Sequence, residues 1–129
     1  MRELLTSARI PAPKFRYTPC VRSGPFGFVS GMVALDPATG AMVEGGVGVQ
    51  TDRIFDNLEL ALQDYGFTLE QLCMAHIYTT RFEQFGEFNE VWERKFAHIA
   101  PPARTSVGVT TLPLGALVEI EFVFVSDRQ

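Results

Sequence analysis

The last third of the chain carries its plainest hydrophobic pattern. From Leu117 to Val125, Val118, Ile120, Phe122 and Phe124 share one side, and Leu117, Glu119, Glu121, Val123 and Val125 share the other. A period of two predicts a strand. Its first face suits a core. Its second face begins and ends apolar but holds two carboxylates, a mixture that suits packing against another subunit. The same period predicts a strand over Cys73–Thr80, with Cys73, Ala75, Ile77 and Thr79 on one face and Met74, His76, Tyr78 and Thr80 on the other. Ala103–Val109 reads as a shorter strand. Phe26–Leu35 reads as a strand interrupted by Gly27 and Gly31, and glycine inside a strand marks a bulge or a close approach. Asp36-Pro37-Ala38-Thr39-Gly40 supplies turn chemistry. Ala41–Val43 is expected to return as the second arm of a hairpin.

Two segments follow the helical period instead. Ile54, Leu58, Ala61, Leu62 and Tyr65 give one apolar stripe over about Gln50–Tyr65. Asp52 and Asp56 are expected to favour the N-terminal end, where the macrodipole is positive, and Gly66 to end the helix in a left-handed cap. Thr68-Leu69-Glu70-Gln71 has capping-box form. Phe85, Phe88, Trp92 and Phe96 form the stripe of a second helix over about Glu83–His98, stopped by Pro101-Pro102. Leu112-Pro113-Leu114-Gly115 is a turn. The predicted order is β-β-α-β-α-β-β: an α+β fold with a mixed sheet and two helices on one face.

A length of 129 residues, with no linker, low-complexity tract or repeat, predicts a single domain over 1–129. With 11 Lys+Arg against 15 Asp+Glu, the net charge of −4 weakens any reading in which a phosphate backbone is the main partner. No apolar run approaches the roughly 20 residues of a membrane span. The segment Met1–Thr6 is too short and polar for a signal peptide. Cys20 and Cys73 make no disulfide framework and read as small buried hydrophobes. A reducing, cytoplasmic setting is expected.

Little of the chemistry-bearing sequence has a familiar spacing. His76 and His98 lie far apart on different elements, no C-x-x-C or H-E-x-x-H occurs, and no metal site is expected. His76 reads as a satisfied structural histidine. Gly46-Val47-Gly48 lacks the Lys-Ser/Thr of a phosphate loop. Gly27-Phe28-Val29-Ser30-Gly31 has the wrong spacing for a nucleophile elbow, which argues against Ser30 as a nucleophile. The informative stretch is Pro101-Pro102-Ala103-Arg104-Thr105-Ser106, followed by Leu112-Pro113 and Val118-Glu119-Ile120-Glu121. An arginine on a short strand after two prolines can take a carboxylate with both prongs of its guanidinium. Glu119 is expected on the next strand, as a base for proton transfer. The alternative is that Arg104 and Glu119 simply pair with each other across strands.

Those same residues resemble the signature of the Rid/YjgF family, the reactive-intermediate deaminases also described as ribonucleases or translation inhibitors. The resemblance runs from Tyr17 to Val125. It includes Phe28-Val29-Ser30-Gly31 at a strand end and Phe88-Asn89-Glu90-Val91-Trp92 on the second helix. It implies a chorismate-mutase-like protomer in a homotrimer, with the sheets as a central barrel and three clefts between subunits. It implies hydrolysis of 2-imino acids, or their enamine tautomers, to 2-keto acids and ammonia without metal or organic cofactor. By motif, Arg104 would grip the substrate carboxylate and Glu119 would activate water. Tyr17, Ser30 and Gly31 would line the cleft, and Asn89 would support it. Ser106 stands where many members carry cysteine, and Phe15-Arg16-Tyr17-Thr18-Pro19-Cys20 replaces the usual G-P-Y-S-Q, with Lys14 and Arg16 adding positive charge. Two other functions remain open: a carboxylate-metabolite binding or sensor protein, and, less favoured by the charge, a ribonuclease or translation inhibitor.

Overall fold

A computed structural model describes residues 1–127. Strand β6 (Val118–Val125) sits in the middle of a mixed sheet, as its alternation requires. On one side it pairs antiparallel with β3 (Phe26–Met32), which continues to β2 (Cys20–Ser23) and β1 (Arg2–Leu5). On the other side it pairs antiparallel with β4 (Leu72–Thr79), and β4 pairs in parallel with β5 (Ala103–Gly108). The order across the sheet is β1-β2-β3-β6-β4-β5. The parallel pair needs a long crossover, which α2 (Phe85–Lys95) supplies.

Helix α1 (Val47–Tyr65) and α2 cover one face of the sheet. Val118, Ile120, Phe122 and Phe124 of β6 are buried beneath them with Ile54, Phe55, Leu58 and Trp92. Phe55 meets Phe122, Trp92 and Phe96 edge-on at centroid distances of 5.8, 6.0 and 5.9 Å. Such ring pairs add to the stabilisation that burial alone provides. Buried Gln50 ties the layers together, its side-chain oxygen accepting from the Leu117 N–H at 2.9 Å.

The α+β class and both helical stripes agree with the sequence pattern, as do the left-handed cap at Gly66 (φ 78°) and the capping box at Thr68. The element order differs. Two strands precede β3, and both are four-residue segments too short to show alternation. Ala41–Val43 is not a strand: a single bridge joins Leu35 to Met42 around the Asp36–Gly40 turn. Helix α1 begins earlier than expected, at Val47. Asp52 and Asp56 therefore lie beyond its first turn, where they bind Arg94 and Lys95 of α2. The second helix is shorter than the expected Glu83–His98, because Phe82–Gln84 forms a 3-10 turn before it and Phe96 caps its end. Cys20 is buried, but Cys73 is exposed and not the buried hydrophobe its strand position suggested.

Gly27 shows why glycine was needed inside β3. A Cβ there would collide with the ring of Phe67, which packs on Phe124. Gly27→Ala is expected to destabilise the fold by about 1–3 kcal/mol, the usual range for overpacking, read from a denaturant melt.

Candidate functional site

The expected site residues fall into two groups, one on each face of the sheet. The open face, away from the helices, carries Glu119 and Glu121 of β6 beside Tyr78 and His76 of β4, in the register Tyr78–Glu119 and His76–Glu121. Tyr78 donates its hydroxyl to Glu121 Oε1 at 2.9 Å. His76 Nδ1 lies 3.1 Å from the same oxygen, close enough to pair with it although outside hydrogen-bond geometry.

Next to Glu119 the chain opens into a cavity of about 600 Å³. Tyr17, Ser30, Gly31 and Glu119 all line it. Gly31 is the second close approach in β3. A Cβ at that position would lie 2.7 Å from Glu119 Oε2, so only glycine leaves the carboxylate its place. The ladder between β3 and β6 shifts register at this point, between Val29 and Met32, as a bulge. Ser30 bends the preceding segment over the cavity: its Oγ donates to Thr18 O at 2.7 Å and its N–H to Pro19 O at 2.9 Å. This holds Tyr17 at the rim. Ser30 is thus engaged with backbone and acts on the site through its neighbour.

Burial raises the pKa of the Glu119 carboxyl, and the like charge of Glu121 raises it further. Burial also raises that of Tyr17, with Glu119 adding to the effect. An acid whose pKa is raised sits well for taking a proton from water near neutrality.

The second group is on the helix-covered face. Arg104 pairs in register with Ala75, whose side chain is in the core. Its guanidinium stretches over α2, within 5.6 Å of the ring centroids of Phe85, Phe88 and Trp92. There Nη2 donates to Asn89 Oδ1 at 2.8 Å. Aromatic faces and one amide oxygen fix the direction of the fork, and most of its donors remain free among the described residues. Ser106 follows two residues later on the same face, half-buried. Arg104 and Glu119 therefore do not pair with each other. They come from consecutive strands in sequence, but β4 lies between them and their side chains leave opposite faces.

Part of the cavity wall carries no sequence signal. The segment from Thr6 to Phe15 forms its outer side, tied to α1 by Asp64, which accepts from Ser7 Oγ at 2.6 Å and pairs with Arg9 Nε at 3.2 Å. Leu114, at the edge of the cavity, has the left-handed φ of 59°. Nothing in the sequence marked residues 6–13 as a wall, and the turn expected at Leu112–Gly115 did not show that Leu114 borders the cavity. Among the described residues no group of three His, Cys, Asp or Glu side chains is placed to hold a metal ion, and no helix is long and apolar enough to cross a membrane.

This geometry coincides with known proteins. Residues 7–126 match the family model described as Endoribonuclease L-PSP. The chain belongs to this family, the Rid/YjgF proteins. A RutC family protein of Aquifex aeolicus is 40% identical over 126 residues, covering 97% of this chain and 99% of its own. Protein DfrA of Myxococcus xanthus is 37% identical over 127 residues, covering 97% and 96%. Among solved structures, the Rid family protein YyfA of Yersinia pestis superposes with a TM-score of 0.93 at 26% identity, over 97% of this chain and 99% of that one. A Thermotoga maritima protein, a candidate endoribonuclease, gives 0.91 at 33% identity, over 98% and 99%. The Rid fold thus accounts for the whole sheet.

Glu119 makes a testable statement about stability in this Rid protein. Its folded-state pKa is raised, so the folded chain holds the proton more tightly than the unfolded chain. Its contribution favours folding below the ordinary glutamate pKa and is lost as pH rises through the raised value. Glu119→Gln is expected to melt at a higher temperature than the parent at neutral pH. The difference should close as pH falls to about 4, where the parent glutamate is itself protonated. Thermal melts of both proteins across that range check this.

Proposed function

We propose that the protein is an imine deaminase, hydrolysing 2-imino acids or their enamine tautomers to 2-keto acids and ammonia. The observation that carries the reading is Glu119: a half-buried carboxylate with a raised pKa, set by Gly31 and Tyr17 into the wall of a cavity large enough for a small metabolite. Arg104 is the complementary half, a preset fork with free donors and no carboxylate on it. Since the two halves leave opposite faces of one protomer, a working site takes Arg104, Asn89 and Ser106 from one subunit and Glu119, Tyr17, Ser30 and Gly31 from the next. The family resemblance supports a homotrimer with such clefts. So does the open face, where Leu4, Phe26, Phe28 and Val107 are exposed around the carboxylates. The single domain works in the cytoplasm, in this reading, with no cofactor.

The chemistry asks little of the protein. An iminium carbon is already electrophilic. Arg104 holds the substrate carboxylate, which fixes that carbon relative to Glu119. Glu119 takes a proton from water as the new C–O bond forms. The protonated Glu119 then returns the proton to the nitrogen of the tetrahedral adduct. The C–N bond then breaks as Glu119 takes the adduct's hydroxyl proton, which passes to the departing ammonia, so that ammonium leaves and the keto acid remains.

A second reading is binding without turnover. A protein of the same fold, TdcF of Escherichia coli, has been crystallised with bound serine, a small carboxylate. RNA cleavage, named in the family description, is disfavoured by the net charge of −4 and by the two glutamates at the cavity side of the sheet.

Imines generated in place by an amino-acid oxidase, with ammonia release followed, test the activity. Glu119→Gln is expected to keep the fold and lower turnover by about 10²–10⁴-fold. Arg104→Ala and Arg104→Lys are both expected to weaken 2-keto acid binding by about 2–5 kcal/mol in calorimetry, because a point ammonium does not replace a two-pronged donor. A folded Arg104→Ala protein with unchanged affinity would overturn the clamp. Light scattering is expected to give three times the protomer mass, and a monomer would remove the shared site.

A further inference from the structure

The cavity beside Glu119 is much larger than a two-carbon side chain needs, and its walls are mostly apolar. We propose that it is a side-chain pocket selecting 2-imino acids, and the 2-keto acids they become, that carry a long aliphatic or aromatic side chain. The proposal rests on the deaminase reading above and names its substrate class.

Volume is the first argument. At about 600 Å³ the space lies in the range of pockets that enclose whole metabolites. An ethyl group would leave most of it to water held against apolar walls, whereas a longer chain displaces that water with a gain proportional to area.

The lining is the second argument. Among the described residues Lys14 and Glu119 are its only charged residues, and Lys14 is exposed. The floor is made by Val29, Asn57 and Tyr65, exposed by 4%, 2% and 1%. Asn57 is already engaged at both ends of its amide: Nδ2 donates to Leu35 O at 2.7 Å, and Oδ1 accepts from Arg53 Nε at 3.1 Å. The Tyr65 hydroxyl makes no hydrogen bond among the described residues. The floor thus presents to a ligand a ring, a methyl surface and one unengaged hydroxyl.

The rim is the third argument. Phe15 and Leu114 both line the cavity, yet they are 71% and 47% exposed. Leu114 holds this place with a backbone that leucine rarely adopts, φ 59°. Strain of this kind collects where a side chain must be aimed at a ligand. Together Phe15 and Leu114 form an apolar collar at the opening, placed to close on a chain that extends past the reacting carbon.

Calorimetry with 2-oxobutanoate, 2-oxohexanoate and phenylpyruvate reads the pocket directly, with ammonia release from the matching imines followed in parallel. Affinity is expected to rise about fourfold per added methylene, or about fifteenfold from the ethyl to the butyl compound, with phenylpyruvate also tighter than 2-oxobutanoate. Leu114→Asn removes the collar with a residue that tolerates the left-handed conformation. It is expected to stay folded, with a cooperative thermal melt, and to lose most of the gain with chain length. A series that is flat or falls with length, or a folded Leu114→Asn protein with the full gain, overturns the proposal. Ammonia release from none of the imines would overturn the deaminase reading alone, because the rise in keto-acid affinity would still define the pocket.

Discussion

Everything in this protein is arranged around the two-residue period of β6. One strand in the middle of the sheet gives its even-numbered side chains to the core and its odd-numbered ones to the open face. The core side is conventional: valine, isoleucine and two phenylalanines under two helices. The open side cannot then be dry, because Glu119 and Glu121 come with it. A shift of one residue would bury both carboxylates and expose both phenylalanines, so register is fixed by a large energetic penalty. The candidate base owes its position to the same constraint that fixes the core.

Neighbouring strands then tune what β6 presents. From β4 come Tyr78 and His76, which gather around Glu121. From β3 comes the absence of a side chain at Gly31, which lets the Glu119 carboxylate lie close against the sheet instead of reaching into water. Reduced solvation and the adjacent charge act in the same direction on Glu119. On the far side, α2 does for Arg104 what β3 does for Glu119. Three aromatic rings and Asn89 remove the freedom of a long side chain. The two groups that matter chemically are thus preset by separate elements, with the thickness of the sheet between them.

The sequence made the periodic part of this readable. Alternation over β4 and β6, the stripes at Ile54–Tyr65 and Phe88–Phe96, and the glycines in β3 are local signals whose physical cause is burial. Gly27 and Gly31 both proved to be close approaches, to Phe67 and to Glu119. The short strands β1 and β2 were not readable, because four residues do not establish a period and their pairing is imposed by β3. Nor was the separation of Arg104 from Glu119. Adjacent strands in sequence suggested adjacent strands in space, and the insertion of β4 between them is a property of topology. The aperiodic wall from Thr6 to Phe15 and the left-handed Leu114 depend on contacts made only once the sheet exists.

That wall is fastened in an unequal way. At its end near β3, the Ser30 bonds to Thr18 and Pro19 join it to the sheet. Along its middle, the polar ties run through one carboxylate, Asp64, which serves both Ser7 and Arg9. Segments held by few surface bonds open at a small fraction of the free energy of global unfolding. Amides between Thr6 and Phe15 should therefore exchange with solvent long before those of β6. Access to the interior is then a local, frequent event that leaves the sheet undisturbed. Asp64, more than 50 residues from the segment it holds, sets how often the chamber breathes.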